Sequence, residues 1–400
     1  MSNATAESLT EKDDIRGQRI EIHILLVSLI MPLMITLFFL QAVRVFIGQI
    51  YFQNLGAMSL GPTVLMVFFL LSPILILLLR GISLQRLWIL TVLGVVVFRL
   101  LMPFLQTLSS FYLVSVSLSV AFFGMYLPVA LSLNFEPPPS LPISNTSLFS
   151  IGFSLAFAVD ISFRTIGVTW DLSTGPLGIV ITPILCILTI LFVYIAHPSF
   201  TGILLPEPTQ SHELSRGRVA ILGLGFGGVM FALLSLIAYP NVISRWTASS
   251  YLIATLSIAF AVFLYPMMLV DARGKQLLMR KEVILLLNLI TLVTAVDLAY
   301  LLSHLSVVLA GVAMFTFMLD LYVMWNYLQS KHATLTDYTI FHFTGMLLLL
   351  LFTLFFVLTL VAGLLLPALT GLAPYLILAS FVVAVLPSVI LGSANKEVEA

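Results

Sequence analysis

Charge is scarce in this chain. Asp, Glu, Lys and Arg make up 8% of its 400 residues, while 60% are hydrophobic. A soluble domain carries roughly 25% charged residues, so a water-facing globule is excluded. Cysteine is nearly absent. Cys186 stands alone, which excludes an intramolecular disulfide and a thiolate metal site. Net charge is zero, which removes any electrostatic case for a nucleic-acid partner. The six histidines, His23, His197, His212, His304, His332 and His342, show no ligand spacing with one another or with an acidic residue. No metal, no cofactor and no catalytic residue is expected, and the chain reads as a non-enzyme.

What is there is a succession of long apolar runs rich in Leu, Val and Phe. Runs of this length are read as spanning helices, and their lack of polar alternation argues against a β-barrel. The spacing predicts an all-α polytopic bundle of about twelve spans. They are 22–46, 58–80, 84–106, 108–133, 146–168, 176–197, 217–240, 248–270, 282–303, 306–328, 339–366 and 371–392. The last two are separated at Pro367, Gly371 and Pro374, because one uncharged helix over 343–395 would be ~80 Å long against a ~30 Å hydrocarbon core. Residues 1–21 and 393–400 read as polar tails and 198–216 as a linker. Between them lie two six-helix halves, 22–197 and 217–392. The polar start lacks the apolar core of a signal peptide, so the first helix is expected to stay as an anchor.

Seventeen residues are Lys or Arg. With the N-terminus inside, all but Arg44, Arg99, Arg164 and Arg245 fall on the cytoplasmic side. That asymmetry predicts cytoplasmic termini and a place in the cell membrane, with the lipid bilayer as the first partner.

The two halves echo each other. A basic connection follows the second helix of each, with Gly81 and Arg86 in the first and Asp271-Ala-Arg-Gly274 in the second. This layout resembles the major facilitator superfamily, whose corresponding loop carries a Gly, an Asp-Arg pair and a Gly-Arg-Arg run. The resemblance implies a secondary transporter of a small or amphipathic solute, working by alternating access between the halves. A shorter stretch, Asp160-Ile-Ser-Phe-Arg164 followed by Trp170-Asp171-Leu-Ser, is similar to the membrane portion of GPI-anchor-remodelling proteins. That second resemblance implies lipid or glycolipid handling at an outer-leaflet polar site, without the soluble catalytic domain of those proteins.

Ionisable groups inside the membrane are costly and mark functional-site candidates. Counting 1.5 Å per residue, Arg44, Arg99, Asp160 and Arg164 all fall in the outer half of the membrane, and Asp171 follows in the next outer loop. Together they suggest an outward-facing site for an anionic solute or a lipid headgroup, since the Arg fork suits carboxylate and phosphate. The bland alternative is that Asp160 and Arg164 pair along their own helix while Arg44 and Arg99 snorkel to headgroups. In the second half, Asp297 sits where Arg99 sits in the first. Asp320 lies on the tenth span, which lines the central cavity of facilitators, and is a coupling candidate able to carry a proton. Leu222-Gly223-Leu-Gly225-Phe-Gly227-Gly228 matches a dinucleotide fingerprint only in form. Within an apolar helix its small residues instead predict close helix packing.

Overall fold

The computed structural model describes residues 21–53, 70–79, 81–105, 109–133, 135, 143–165, 176–196, 214–243, 248–297, 304–365 and 373–394. They form an almost wholly helical molecule. In the first half, α1 covers 21–53 and α2 covers 70–78. They are followed by α3 (Leu84–Leu105), α4 (Ser109–Ser132), α5 (Asn145–Thr165) and α6 (Pro176–Ala196). The second half holds α7 (Arg216–Ile243), α8 (Ala248–Val270), α9 (Lys281–Val296), α10 (His304–Ser330), α11 (Leu335–Leu365) and α12 (Ala373–Ala394). A short connecting helix, Ala272–Leu278, joins α8 to α9. Among the described residues, seven helices are long and apolar enough to cross a membrane, and three shorter apolar helices accompany them. The expected tails and the linker lie almost wholly outside the described residues, as does Asp171.

Helix ends and irregularities follow local chemistry. Pro32 has no N–H to give, and the turn before it widens into a π turn, Leu26–Ile30, closed by Met31 N–H donating to the Leu26 carbonyl. The Leu29 carbonyl of that turn approaches α5 at Gly152, where a Cβ would lie 2.3 Å from it. Asp271 caps the connecting helix by accepting from Gly274 N–H at 2.8 Å. A capping box opens α11. Thr334 donates to Asp337 from both its backbone and its hydroxyl, and Asp337 N–H donates back to Thr334 Oγ1.

Three arrangements build the bundle. In the first half α3 packs on α4 and α6, and α1 packs on α5 and α4. In the second half α7 lies against α11 and α12, and α10 lies against α8 and α9. The halves meet through α5 on α8 and α10, and through α4 on α11. The glycine run of α7 serves two faces. Gly223 and Gly227 admit the α11 backbone at Phe341 and Gly345, while Gly225 and Gly228 admit α12 at Pro387 and Ala384. This is the close helix approach that small residues allow.

Side chains sort by solvent as a bilayer requires. On α9, Leu286, Leu289, Val293 and Val296 are exposed, whereas Asn288, Thr291 and Thr294 are buried. On α6, Val180, Ile184, Ile187, Leu191 and Tyr194 face outward. Apolar surface turned outward costs nothing in lipid, and polar groups turned inward find partners.

Candidate functional site

Helix α5 carries two stripes. At 100° per residue, Ser147, Ser150 and Ser154 fall within about 60° of one another. Each crosses to the second half. Ser147 Oγ shares a hydrogen bond with the Tyr322 hydroxyl at 3.2 Å, and Ser150 Oγ with the Tyr265 hydroxyl at 2.7 Å. Ser154 Oγ donates to the Val262 carbonyl at 3.2 Å. At the start of the helix Thr146 Oγ1 donates to Gln329 Oε1. Lys275, on the connecting helix, donates to Ser147 Oγ at 3.4 Å and stands 6.0 Å from the centre of the Tyr322 ring. All of these lie toward the end of the bundle that holds the basic α8–α9 connection, hereafter the basic face.

The second stripe is aromatic, then charged. Phe149, Phe153, Asp160 and Arg164 fall within about 60° of one another, roughly a quarter turn from the serines. Trp325 of α10 meets Phe149 and Phe153 edge-on, with ring centroids 5.2 and 5.5 Å apart and planes at 87° in both. Tyr126 of α4 stacks on the other side of Phe149 at 6.4 Å. Trp325 and Tyr126 are fully buried. These rings form a plug where the halves meet. A cavity of about 10 Å³ beside it, lined by Ser28, Asn145, Thr146 and Phe149 among others, has room for about one water and no solute. Asp160 continues the same stripe ~10 Å beyond Phe153, away from the basic face. It is 4% exposed and engaged with a partner.

The other candidates take different places. Arg99, fully buried on α3, donates to Gln41 Oε1 of α1 at 3.4 Å. One turn before it, the Val96 carbonyl accepts from Cys186 Sγ of α6 at 3.9 Å. Asp320, fully buried on α10, accepts from Asn288 Nδ2 of α9 at 3.5 Å. Tyr265 of α8 lies within electrostatic range of the same carboxylate. Asp297 is buried at the C-terminal end of α9. Arg44 and Arg164 sit on described helices, but their side chains lie outside the described residues, as does Asp171 altogether. Among the described residues no group of three or more His, Cys, Asp or Glu is arranged to hold a metal.

Sequence reasoning missed the serine stripe and every one of its partners in the second half. The signal was present as Ser at i, i+3 and i+7 on a helix whose neighbouring stripe is Phe-rich. Gln41, Asn288 and Trp325 were invisible as partners, because pairing between helices depends on which faces meet.

No family model and no curated protein matches the sequence. Solved structures do match the fold. A bacterial homologue of the iron transporter ferroportin, in an outward-facing state, superposes with a TM-score of 0.57 at 14% identity, covering 94% of this chain and 99% of that one. The major facilitator superfamily transporter FucP, in its outward conformation, superposes with a TM-score of 0.52 at 15% identity, covering 90% and 98%. With two sets of six helices, glycine-mediated packing inside the second and a plug between them, this integral membrane protein has the major facilitator fold.

Proposed function

We propose that the protein is a secondary transporter of a small or amphipathic solute, working by alternating access between α1–α6 and α7–α12. The observation that carries this reading is the seam between the halves. Among the described residues its hydrogen bonds and ring contacts run from Thr146 to Ser154 on α5 and gather toward the basic face. Two halves joined at one end by a few hydrogen bonds, all between neutral groups except the one from Lys275, make a hinge that can open there, since such bonds contribute only about 1–3 kcal/mol each net. The transporters matched in fold support the same reading. The iron named for one of them is said of that protein and is not carried over.

In this proposal the basic face is cytoplasmic, by the excess of Lys and Arg there, and the cell membrane is the resident bilayer with both termini inside. The state described is then closed toward the cytoplasm. Asp160 and Arg164, above the plug on the central stripe of α5, are the residues proposed to meet solute. Arg164 would favour an anionic group on it, from a free solute or a lipid headgroup.

The test is a distance measurement between spin labels at Arg86 and Arg273, both exposed at the basic face on opposite halves. Alternating access predicts two distance populations in the reconstituted protein. One population that no solute, lipid or pH condition shifts would sink the proposal.

A further inference from the structure

The plug between the halves holds two polar edges that its closed packing leaves unmet. Trp325 of α10 and Tyr126 of α4 come from opposite halves, are both 0% exposed, and both pack on the Phe149 ring. Among the described residues, Trp325 Nε1 and Tyr126 Oη have no hydrogen-bond partner. A buried donor without an acceptor is costly. A plain apolar ring would fill either place without that cost, so packing does not explain the N–H and the O–H. Phe157 extends the ring surface beyond Phe153, 5.2 Å between centroids.

A cation stands beside the plug. Lys275 Nζ donates to Ser147 Oγ at 3.4 Å and lies 6.0 Å from the centre of the Tyr322 ring. Ser147 is two residues from Phe149 on α5, and Tyr322 is three from Trp325 on α10. Both contacts are neutral, and both belong to helices of the plug. Asp271, one turn back on the connecting helix, caps it through Gly274 N–H. Among the described residues no carboxylate pairs with Lys275.

We propose that the solute is a planar aromatic monocarboxylate, and that Trp325 Nε1, Tyr126 Oη and Lys275 Nζ bind its carboxylate as the basic face opens. The inference rests on the transport reading and gives its solute a class. Donor chemistry argues for the anion. An indole N–H and an ammonium can only donate, and a phenol can donate too, so together they fit a group made of acceptors. One cation balances one negative charge. A dianion such as a phosphate would bring uncompensated charge into a low-dielectric interior. The rings argue for the body. Phe149, Phe153, Tyr126 and Trp325 offer faces and edges at stacking distance, where a further flat ring gains more than its area burial. The cavity of about 10 Å³ beside the plug has no room for such a solute, so it enters as the halves part and replaces ring contacts with its own. Asp160, of the opposite sign to Lys275, lies ~10 Å beyond Phe153 on the far side of the plug.

The experiment is equilibrium binding to the purified full-length protein in detergent, read by calorimetry. The probes are benzoate, 2-naphthoate and indole-3-acetate. Their neutral amides, the cation benzylamine and the flexible anion hexanoate are the comparisons. The aromatic acids are expected to bind saturably, and the comparisons roughly tenfold or more weaker. Tyr126→Phe, Trp325→Phe and Lys275→Gln should each weaken the best acid about tenfold, the scale of one hydrogen bond to a charged group. If a ring variant fails to fold, Lys275→Gln at the edge of the bundle decides. Binding of none of the acids, equal binding of the amides, or undiminished binding by the variants overturns the proposal. Spin labels at Arg86 and Arg273 separate it from the transport reading. The bound acid is expected to shift their distances toward an open basic face. Two populations that other solutes shift and no aromatic acid does would overturn the solute class and leave transport standing, whereas one fixed population sinks both.

Discussion

Ser150 on α5 and Tyr265 on α8 share a buried hydrogen bond, Oγ to Oη at 2.7 Å, that joins the two halves of the molecule. It belongs to a row of three, one per turn of α5, with Ser147 to Tyr322 before it and Ser154 to the Val262 carbonyl after it. Serine suits this position. Its side chain is short enough to let α5 lie close on α8, and its hydroxyl can fall back on its own helix carbonyls when the seam parts. A seam built this way opens without stranding a charge.

Tyr265→Phe tests the row. The ring keeps its edge contact with Phe315, 5.7 Å between centroids, and only the cross-half bond is lost. Losing ~1 kcal/mol of closure should raise the fraction open at the basic face about fivefold. The Arg86–Arg273 spin-label distances read that fraction directly. An unchanged distribution would mean that the bond contributes nothing to closure.

Trp325 should matter more for stability than any single hydrogen bond in the seam. Trp325→Ala empties a fully buried site and removes two edge-to-face contacts, a loss of about 3–5 kcal/mol. Trp325→Phe should recover part of it. Circular dichroism melting in detergent is expected to rank the proteins unaltered, Phe, then Ala.

On α7, Gly227→Ala would set a Cβ 2.3 Å from the Gly345 carbonyl oxygen, a backbone atom that cannot swing away. The helices must part, and Tm should fall measurably, although alanine is the better helix former by ~1 kcal/mol. Gly217→Ala at the start of the same helix meets nothing within 4 Å. There Tm should hold or rise. Opposite signs from one substitution on one helix would separate packing from propensity.

Arg99 and Gln41 should behave as a coupled pair. A double-mutant cycle of Arg99→Met and Gln41→Leu is expected to give a coupling of roughly 1.5–3 kcal/mol, the range for a hydrogen bond to a charged group. Additive effects would mean that the 3.4 Å contact carries no energy.

Much of the fold was legible along the chain. Long uncharged runs, the break at Pro367 to Pro374 and the paired basic connections come from covalent sequence and bilayer thickness alone. They led to twelve spans and a facilitator layout. The connecting helix Ala272–Leu278 and the π turn before Pro32 were not foreseen. A loop helix of two turns has no periodicity to read, and a π turn is a local response to proline and to the neighbour at Gly152. The seven charged candidates stand out by rarity, yet rarity does not say what a residue faces. Asp320, on the span expected to line the central cavity, accepts from Asn288 on a neighbouring helix of its own half.

The sequence by itself determined that this protein lives in a membrane, that its fold is a helical bundle, and which connections are basic. Those follow from transfer free energy, which sums along the chain and needs no partner. The tertiary structure alone decided which stripe of each helix faces which neighbour. It set the serines of α5 on tyrosines of the other half, Trp325 between Phe149 and Phe153, and Asn288 beside Asp320. Helix register fixes the angle between side chains on one helix, but only packing fixes the rotation of that helix against the next, and the polar contacts of this molecule lie between helices.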